Sequence, residues 1–469
     1  MPDIPPTRPT LPGPPVLPLS GTSGIHWPAI GGEDDARLFA LQFQLQDSEW
    51  WPPERLLGHQ LEQIAILLRH AARTVPYYRD RLSAFAAETA LPPSIEEFRR
   101  IPLLRRTDIQ DFGEALRSES PPPDHGRLVH IRTTGSTGRP LQVVRAALSS
   151  TISRALAQRY HLWHRRDFAA TNVTIGTLGI AGLPAARENG WVPGYQTGES
   201  FRLDATLPIN ELLDWVIRAD PAYLQAHPSM LLGMIHRSRE IGARPKSLRE
   251  VRTFGEALEP ALRKVCRREW EVPISDIYSA NETATIALQC PEQPHYHVQS
   301  EAILVEVLDS DDRPCAPGET GRVVVTPLHN FAMPLIRYEL GDYATVGGAC
   351  PCGRGLPVID RIVGRYRNLV VLPDGGTQFP DFGAEPVLLD LPIRQFQLIQ
   401  KSRERIDVTL AVHRPLTADD EENLRAFFAR AFRHRFLFPI AYVDDIPSLP
   451  GGKYEVFRSE IADATDGAG

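Results

Sequence analysis

The sequence predicts an α/β fold with a large N-terminal domain and a small C-terminal one, and three observations lead there. At 469 residues the chain is longer than a single core usually supports, so one large and one smaller unit are expected. Its middle alternates short apolar runs with helical ones, VTIGTLGI, NELLDWVIRA, LLGMIHRSRE, VRTFGE, ALRKVCRREW and ISDIYS, the pattern of parallel strands with crossover helices. From residue 302 the pattern changes to strands separated by Gly and Asp turns, AILVEVLD, GRVVVTPL, MPLIRYELGD and NLVVLPDGG, which reads as a β-rich subdomain closing the large domain.

Ahead of this region, Leu57, Leu61, Ile64, Leu68 and Ala71 recur at spacings of three and four. They predict an amphipathic helix over 54–74, ended before Pro76. Beyond residue 364, RQFQLIQKS and RIDVTLAVH read as a hairpin and TADDEENLRAFFARAFRHR as a helix, with IAYVDDIP as a closing strand. Thr417 with Asp420 forms a capping-box-like start, acids fill the first turn and basic residues the last. The expected organisation is a proline-rich arm over 1–45, a large domain over 46–363 and a small α+β domain over 364–469.

Composition narrows the partners. No apolar run approaches the roughly 20 residues of a membrane span, and the net charge of −7 comes with scattered basic residues rather than a basic stripe. Neither a membrane nor a nucleic acid is an expected partner; a small molecule is. The arm lacks the basic start and continuous apolar stretch of a secretory signal, so a cytoplasmic location is expected. Five cysteines in a chain this long do not make a disulfide framework, and a cluster of them would sooner bind metal.

The stretch IRTTGSTGRP, residues 131–140, can act through backbone N–H groups freed by glycine and flanked by hydroxyls, which wrap phosphate oxygens. By itself it reads equally as a polar turn, and it is not a Walker A loop, since no Gly-Lys-Ser/Thr follows.

TFGEALEP at 253–260 and DIYSANETA at 276–284 follow in chain order. With these the sequence resembles the adenylate-forming ligases, and within them the phenylacetate–CoA ligase branch and its capsule-biosynthesis-like relatives. RHAARTVPYYRDRL, IPLLRRTDIQDF, TTGSTGRP, AHPSML, YSANET, GETGRVVVTPL, PLIRYELGD, CPCGRGLP, DRIVGRYRN and GGKYEVFRSEI carry the resemblance over most of the chain, leaving out roughly residues 1–45.

The resemblance implies a large adenylation domain and a small mobile lid domain acting with ATP and Mg²⁺. It implies that Thr133, Thr134, Gly135, Ser136, Thr137 and Gly138 close over the β- and γ-phosphates. Gly255, Glu256 and Ala257 would border the adenine, with Tyr278 and Ser279 beside it. Glu282 would hold the magnesium ion and Asp342 the ribose hydroxyls, with Arg365 at the ribose or the hinge. Lys453, on a glycine-flexed loop of the small domain, would contact the carboxylate and the α-phosphate, then swing away. The chemistry asks for these types, because attack of a carboxylate on a phosphate joins two anions, and cations must neutralise them.

Two positions depart from the family pattern. Arg139 stands where lysine is usual and keeps the charge; Arg367 and Asn368 replace the acidic residues of the usual hinge. Adenylation is therefore the firmer half of the expectation.

Cys290, His297, Cys350 and Cys352 would supply a Cys₃His zinc site, with the resemblance favouring His297 over His295; reduced thiols beside a surface histidine are the alternative. Cys266 and Cys315 have no recognisable base. His227 either approaches the acid's carboxylate or simply starts a helix, and His161 with His164 reads as a helical face.

The expected protein is a ligase that adenylates an aryl carboxylic acid and passes the acyl group to a thiol, either coenzyme A or a carrier-protein phosphopantetheine. A homodimer is the default assembly. Transfer to an amine or hydroxyl, or a non-catalytic nucleotide-binding descendant, are the alternatives.

Overall fold

The computed structural model describes residues 16–87, 91–132, 141–178, 183–365, 368–380, 382, 391–412, 414–444, 446 and 456–461. In chain order they form α1 (Glu33–Ser48), α2 (Pro53–Thr74), α3 (Ile95–Arg99), α4 (Arg106–Phe112), β1 (Leu128–Arg132), β2 (Gln142–Ala146), α5 (Ala147–Trp163), β3 (Asn172–Gly176), β4 (Ala185–Glu188), β5 (Ser200–Asp204), α6 (Ile209–Ala219) and β6 (Tyr223–Ala226). These are followed by α7 (Pro228–Ile241), β7 (Glu250–Phe254), α8 (Pro260–Glu269), β8 (Ile274–Ala280), β9 (Ala284–Gln289), β10 (Tyr296–Val298), β11 (Ile303–Leu308), β12 (Thr320–Pro327), β13 (Tyr338–Val346) and β14 (Val358–Arg365). The last part holds β15 (Val370–Val371), β16 (Thr377–Gln378), β17 (Ile393–Ser402), β18 (Arg405–Val412), α9 (Ala418–Ala431), β19 (Ile440–Val443) and β20 (Phe457–Ser459).

One 12-stranded sheet, in the order β11-β12-β13-β14-β10-β9-β8-β7-β6-β3-β5-β4, organises the large domain. Strands β5, β3, β6, β7 and β8 run parallel, as the alternating sequence pattern predicts. Their helices α6, α7 and α8 bury Leu212, Met234 and Val265 against Val173, Leu224 and Val251 in one core. The stretch after residue 302 differs from the expected closing subdomain: β9 pairs antiparallel with β8, so the sheet simply continues through it. Burial of α2 explains this, because Ile64, Leu68 and Ala71 pack on Ile286, Val323 and Val325 and extend one core along the sheet.

Three further differences concern ends. The arm becomes helical at Glu33, and Leu38 and Leu45 of α1 pack against Ala155 and Leu156 of α5. Residue 17 is already tied down, since Gln196 N–H donates to its carbonyl at 2.8 Å. At the other boundary, residue 363 lies inside β14, whose pairing with β13 holds it in the large sheet.

The small domain follows the sequence closely. β17 and β18 form the antiparallel hairpin, and α9 starts with the capping box in which Thr417 Oγ1 accepts from Asp420 N–H and Asp420 accepts from Thr417 N–H. β20, which the apolar pattern of 457–459 is too short to reveal, adds parallel to β17. Phe427, Phe428, Phe432, Phe436 and Phe438 fill the core beneath.

Candidate active site

Ligands of open parallel sheets sit beyond the carboxyl ends of the strands, and the candidate residues collect there. β6 ends into His227, β7 into Gly255, and β8 into the turn that carries Glu282. Gly255 has φ +77°, a left-handed conformation that glycine adopts without a Cβ penalty. The carboxylate of Glu256 accepts from Ser229 N–H and Ser229 Oγ, each at 3.0 Å, and caps the start of α7. His227 N-caps the same helix, and its Nδ1 donates to Phe254 O at 2.9 Å, so both sequence readings of His227 stay compatible with its place.

Tyr278 is buried, and its hydroxyl donates to Asp342 Oδ2 at 2.8 Å. Burial and then the Asp342 charge push the phenol well above its ordinary range, so it stays a donor. Arg365 Nε stands 3.4 Å from the other oxygen, Oδ1. Asp342 and Arg365 face each other in the β13–β14 ladder, and Gly341 at φ +83° turns the chain just ahead of the carboxylate. The sequence reading set Tyr278 beside the adenine; in the structure its hydroxyl hydrogen-bonds Asp342.

Glu282 lies between β8 and β9, in a turn closed by the Ala280–Ala284 pair. It is 9% exposed, and its ion pair with Arg106 Nη1 is long, at 3.9 Å. Arg145 from the end of β2 shares a cleft with it. Burial lowers the Arg145 pKa and the Glu282 charge opposes this. Neither arginine stood out in the sequence, although Arg106 lies in IPLLRRTDIQDF and Arg145 follows the phosphate-type loop by a few residues.

Of the remaining candidates, Thr133, Thr134, Gly135, Ser136, Thr137, Gly138, Arg139, Arg367 and Lys453 lie outside the described residues. The β1–β2 hairpin that flanks the loop is described, with Arg132 opposite Gln142. Asn368 shows what an amide does at the hinge: Oδ1 accepts from Arg365 N–H at 2.9 Å while Nδ2 donates to Phe457 O in the small domain.

A second cluster ties the β9–β10 turn to the loop between β13 and β14. Cys290 Sγ and Cys350 Sγ are 3.8 Å apart, and Cys352 Sγ is 3.4 Å from His297 Nε2. His295, which the resemblance passed over, joins them with Nε2 3.0 Å from Cys350 Sγ. The ligand atoms of Cys290, His295, His297 and Cys350 all lie within 4.8 Å of one another. Zinc–sulfur bonds of about 2.3 Å give tetrahedron edges of about 3.8 Å, so the spacing fits zinc. His297 Nδ1 faces Leu356 O at 3.5 Å, the outer-shell arrangement that points Nε2 at a metal. Hydrogen bonding with Cys290 lowers the Cys352 thiol, whereas hydrogen bonding with Cys352 and burial raise Cys290, and burial raises Cys350, so the three thiols share their protons.

The chain is similar to the following proteins. The CapK C-terminal domain family matches residues 388–460. The phenylacetate-coenzyme A ligase of Thermus thermophilus is 26% identical over 377 residues, covering 76% of this chain and 81% of that protein. The enzyme of the same name from Escherichia coli is 24% identical over 334 residues, covering 68% and 73%. In fold, a crystal structure of 2-hydroxyisobutyryl-CoA ligase, in the postadenylation state with an acyl-AMP, superposes with a TM-score of 0.70 at 16% identity, over 90% of this chain and 93% of that one. The protein therefore has the fold of the adenylate-forming CoA ligases. Within that class it is a relative of the phenylacetate–coenzyme A ligases that carries a CapK-type C-terminal domain.

Proposed function

We propose that the protein is an ATP-dependent, AMP-forming ligase that activates an aryl carboxylic acid and transfers the acyl group to coenzyme A. The observation that carries this is the pair of carboxylates at the strand ends. Asp342 is held between Tyr278 and Arg365 with lone pairs to offer ribose hydroxyls, and Glu282 sits nearly buried with only a long ion pair among the described residues. The relatives, phenylacetate-coenzyme A ligases by name, supply the reaction class.

In the first step a carboxylate oxygen of the acid bonds to the α-phosphorus of ATP, and the bond to the bridging oxygen of pyrophosphate breaks. In the second, the thiolate of coenzyme A bonds to the acyl carbon and AMP leaves. Glu282 is the ligand for magnesium, which would supply charge neutralisation along the phosphates. Asp342 fixes the ribose, the backbone of Gly255 to Ala257 with Ser279 lines the adenine side, and the 133–139 loop takes the β- and γ-phosphates. Lys453 is assigned to the reacting carboxylate and α-phosphate. The cluster of Cys290, His295, His297, Cys350 and Cys352 holds a structural zinc with four of its five donors; full protein ligation leaves no position for substrate.

A pyrophosphate-exchange assay over a panel of arylacetates, benzoates and hydroxybenzoates tests the first step, and exchange with none of them would end the proposal. Supplying coenzyme A, a phosphopantetheinyl carrier protein or an amine to the productive acid then identifies the acceptor; thioester with coenzyme A is the expected product.

A further inference from the structure

Beside Glu282 a narrow, half-open cleft leaves ≈30 Å³ of room for water-sized groups. A water needs at least about 10–15 Å³ by that measure, so the cleft admits a few oxygen-sized groups and excludes an aromatic ring. Its polar walls are Arg145, α5 at Ser149 and Ser153, the Glu282–Thr285 turn, and His329 with Asn330 after β12, and Ile152, Leu156, Ala302 and Pro327 close the rest with apolar groups.

Four polar atoms on those walls, Arg145 Nε, Thr283 Oγ1, His329 Nδ1 and Asn330 Oδ1, are buried without a hydrogen-bond partner among the described residues. Buried polar atoms are normally satisfied, so something polar completes these four: Arg145 Nε and Thr283 Oγ1 can donate to an anion, whereas Asn330 Oδ1 only accepts and needs a donor such as water. Asn330 is 3% exposed and is itself fixed, its Nδ2 donating to Val144 O at 3.0 Å and Met333 O at 2.8 Å.

The charge of the missing group follows from three independent features. Arg145 supplies a guanidinium with no ion pair among the described residues, and Glu282 is the charge that opposes its burial. Once Glu282 engages a cation, Arg145 loses that counter-charge and only an anion restores it. The 17-residue helix α5 passes the cleft at Ser149 and Ser153; its N-cap Ala146 makes no side-chain capping bond, and of its first N–H groups Ala147 donates to Arg127 O at 2.9 Å, so the rest of its positive end lies close to the same space. His329, pushed down to about 4 by burial and then by His125, stays neutral and offers its ring nitrogen as a hydrogen-bond partner rather than a competing charge.

We propose that Arg145, Thr283, His329 and the N-terminal end of α5 form a phosphate-oxygen subsite that holds the terminal phosphate of the pyrophosphate unit, whether still part of ATP or after its release. The proposal rests on the ligase reading above, and gives the leaving group a binding partner outside the 133–139 loop. It makes Arg145 a determinant of pyrophosphate affinity, with little bearing on AMP.

Calorimetric titration of wild type, Arg145→Ala and Arg145→Lys with pyrophosphate plus magnesium, with a non-hydrolysable ATP analogue and with AMP tests this. For Arg145→Ala the expected result is a loss of roughly tenfold to a hundredfold in pyrophosphate affinity, the scale of a lost charge-assisted hydrogen bond, with AMP affinity unchanged. Arg145→Lys is expected to recover part of it. Parallel loss for the ATP analogue means the subsite is filled before cleavage; loss for pyrophosphate alone means it is filled afterwards. Pyrophosphate affinity within twofold of wild type in Arg145→Ala would assign the cleft to ordered water and overturn the proposal, as would equal losses for pyrophosphate and AMP. Should wild type bind pyrophosphate but adenylate no acid, the ligase reading fails while the subsite stands.

Discussion

The same sheet carries two buried charge clusters, one at each end of its parallel strands, and they are built differently. At the amino ends, Arg166 grips Glu250 with Nε and Nη2, each at 2.7 Å, and Ser275 donates to the same carboxylate. His164 stands 3.6 Å away, and Arg252 donates to Asn172. At the carboxyl ends, Glu282 has Arg106 at 3.9 Å, and Arg145 faces a cleft lined with unpartnered polar atoms. Buried charges are stable when paired and hydrogen-bonded. The Arg166–Glu250 pair meets that condition within the fold, while Arg252 Nε beside it keeps no hydrogen-bond partner among the described residues; in the proposed function a ligand completes the second cluster. The contrast separates tightly paired from loosely paired charge in a chain where both kinds are arginine and glutamate.

The comparison breaks most sharply if the two carboxylates are neutralised in turn. Glu282→Gln is expected to lower adenylation by about three orders of magnitude, the scale of losing a principal electrostatic group, with the melting temperature nearly unchanged. A variant retaining more than a tenth of wild-type exchange would remove Glu282 from the site. Glu250→Gln should do the reverse, costing about 3–5 kcal/mol of stability because it leaves Arg166 buried and unpaired. Denaturant unfolding reads this, and the kcat of the surviving folded enzyme should stay within a few-fold.

Acid should find the paired cluster first. Burial and then Arg166 hold His164 down at about 3, from an ordinary 6.5. Burial alone would raise Glu250, but the charge and hydrogen bonds of Arg166 outweigh it and hold the carboxyl at about 2, from 4.5. In both cases the unfolded chain binds protons at higher pH than the folded one, so stability is lost as pH falls, from 6.5 toward 3 for the histidine and from 4.5 toward 2 for the glutamate. His164→Gln should flatten the fall in melting temperature between pH 6.5 and 4.5; an unchanged slope would mean that His164 titrates freely in the fold.

Smaller effects sharpen the assignment of the remaining groups. Purified protein should carry about one zinc per chain, lost in Cys350→Ser; less than about a tenth of an equivalent in wild type would exclude the metal. Tyr278→Phe leaves Asp342 without its 2.8 Å donor and should raise the KM for ATP about three- to tenfold, near the value of one hydrogen bond, with kcat little altered.

Much of the fold was legible because it is written in local periodicity. The stripe of α2, the alternation from VTIGTLGI to ISDIYS, and the capping box at Thr417 and Asp420 each involve residues close in sequence. The short strands β4, β5 and β20 were not, since three to five residues of mixed polarity acquire a strand's hydrogen bonds only from neighbours. The candidate site divides the same way. Glu282, Asp342 and Tyr278 stood in recognisable stretches, whereas Arg106 and Arg145 matter only because α4 and β2 carry them to a turn more than a hundred residues further on. His295 entered the metal cluster because the β9–β10 turn brings its ring to Cys350.

The sequence by itself determined the class: parallel strands with crossover helices, a separate small domain, and a resemblance that names the reaction type. Those follow from residue order and spacing, which survive without coordinates. Only the tertiary structure decided which charges are satisfied. Pairing depends on distances of a few ångströms between residues remote in the chain, and those distances leave Glu250 tightly paired with Arg166 and Glu282 with a long ion pair to Arg106.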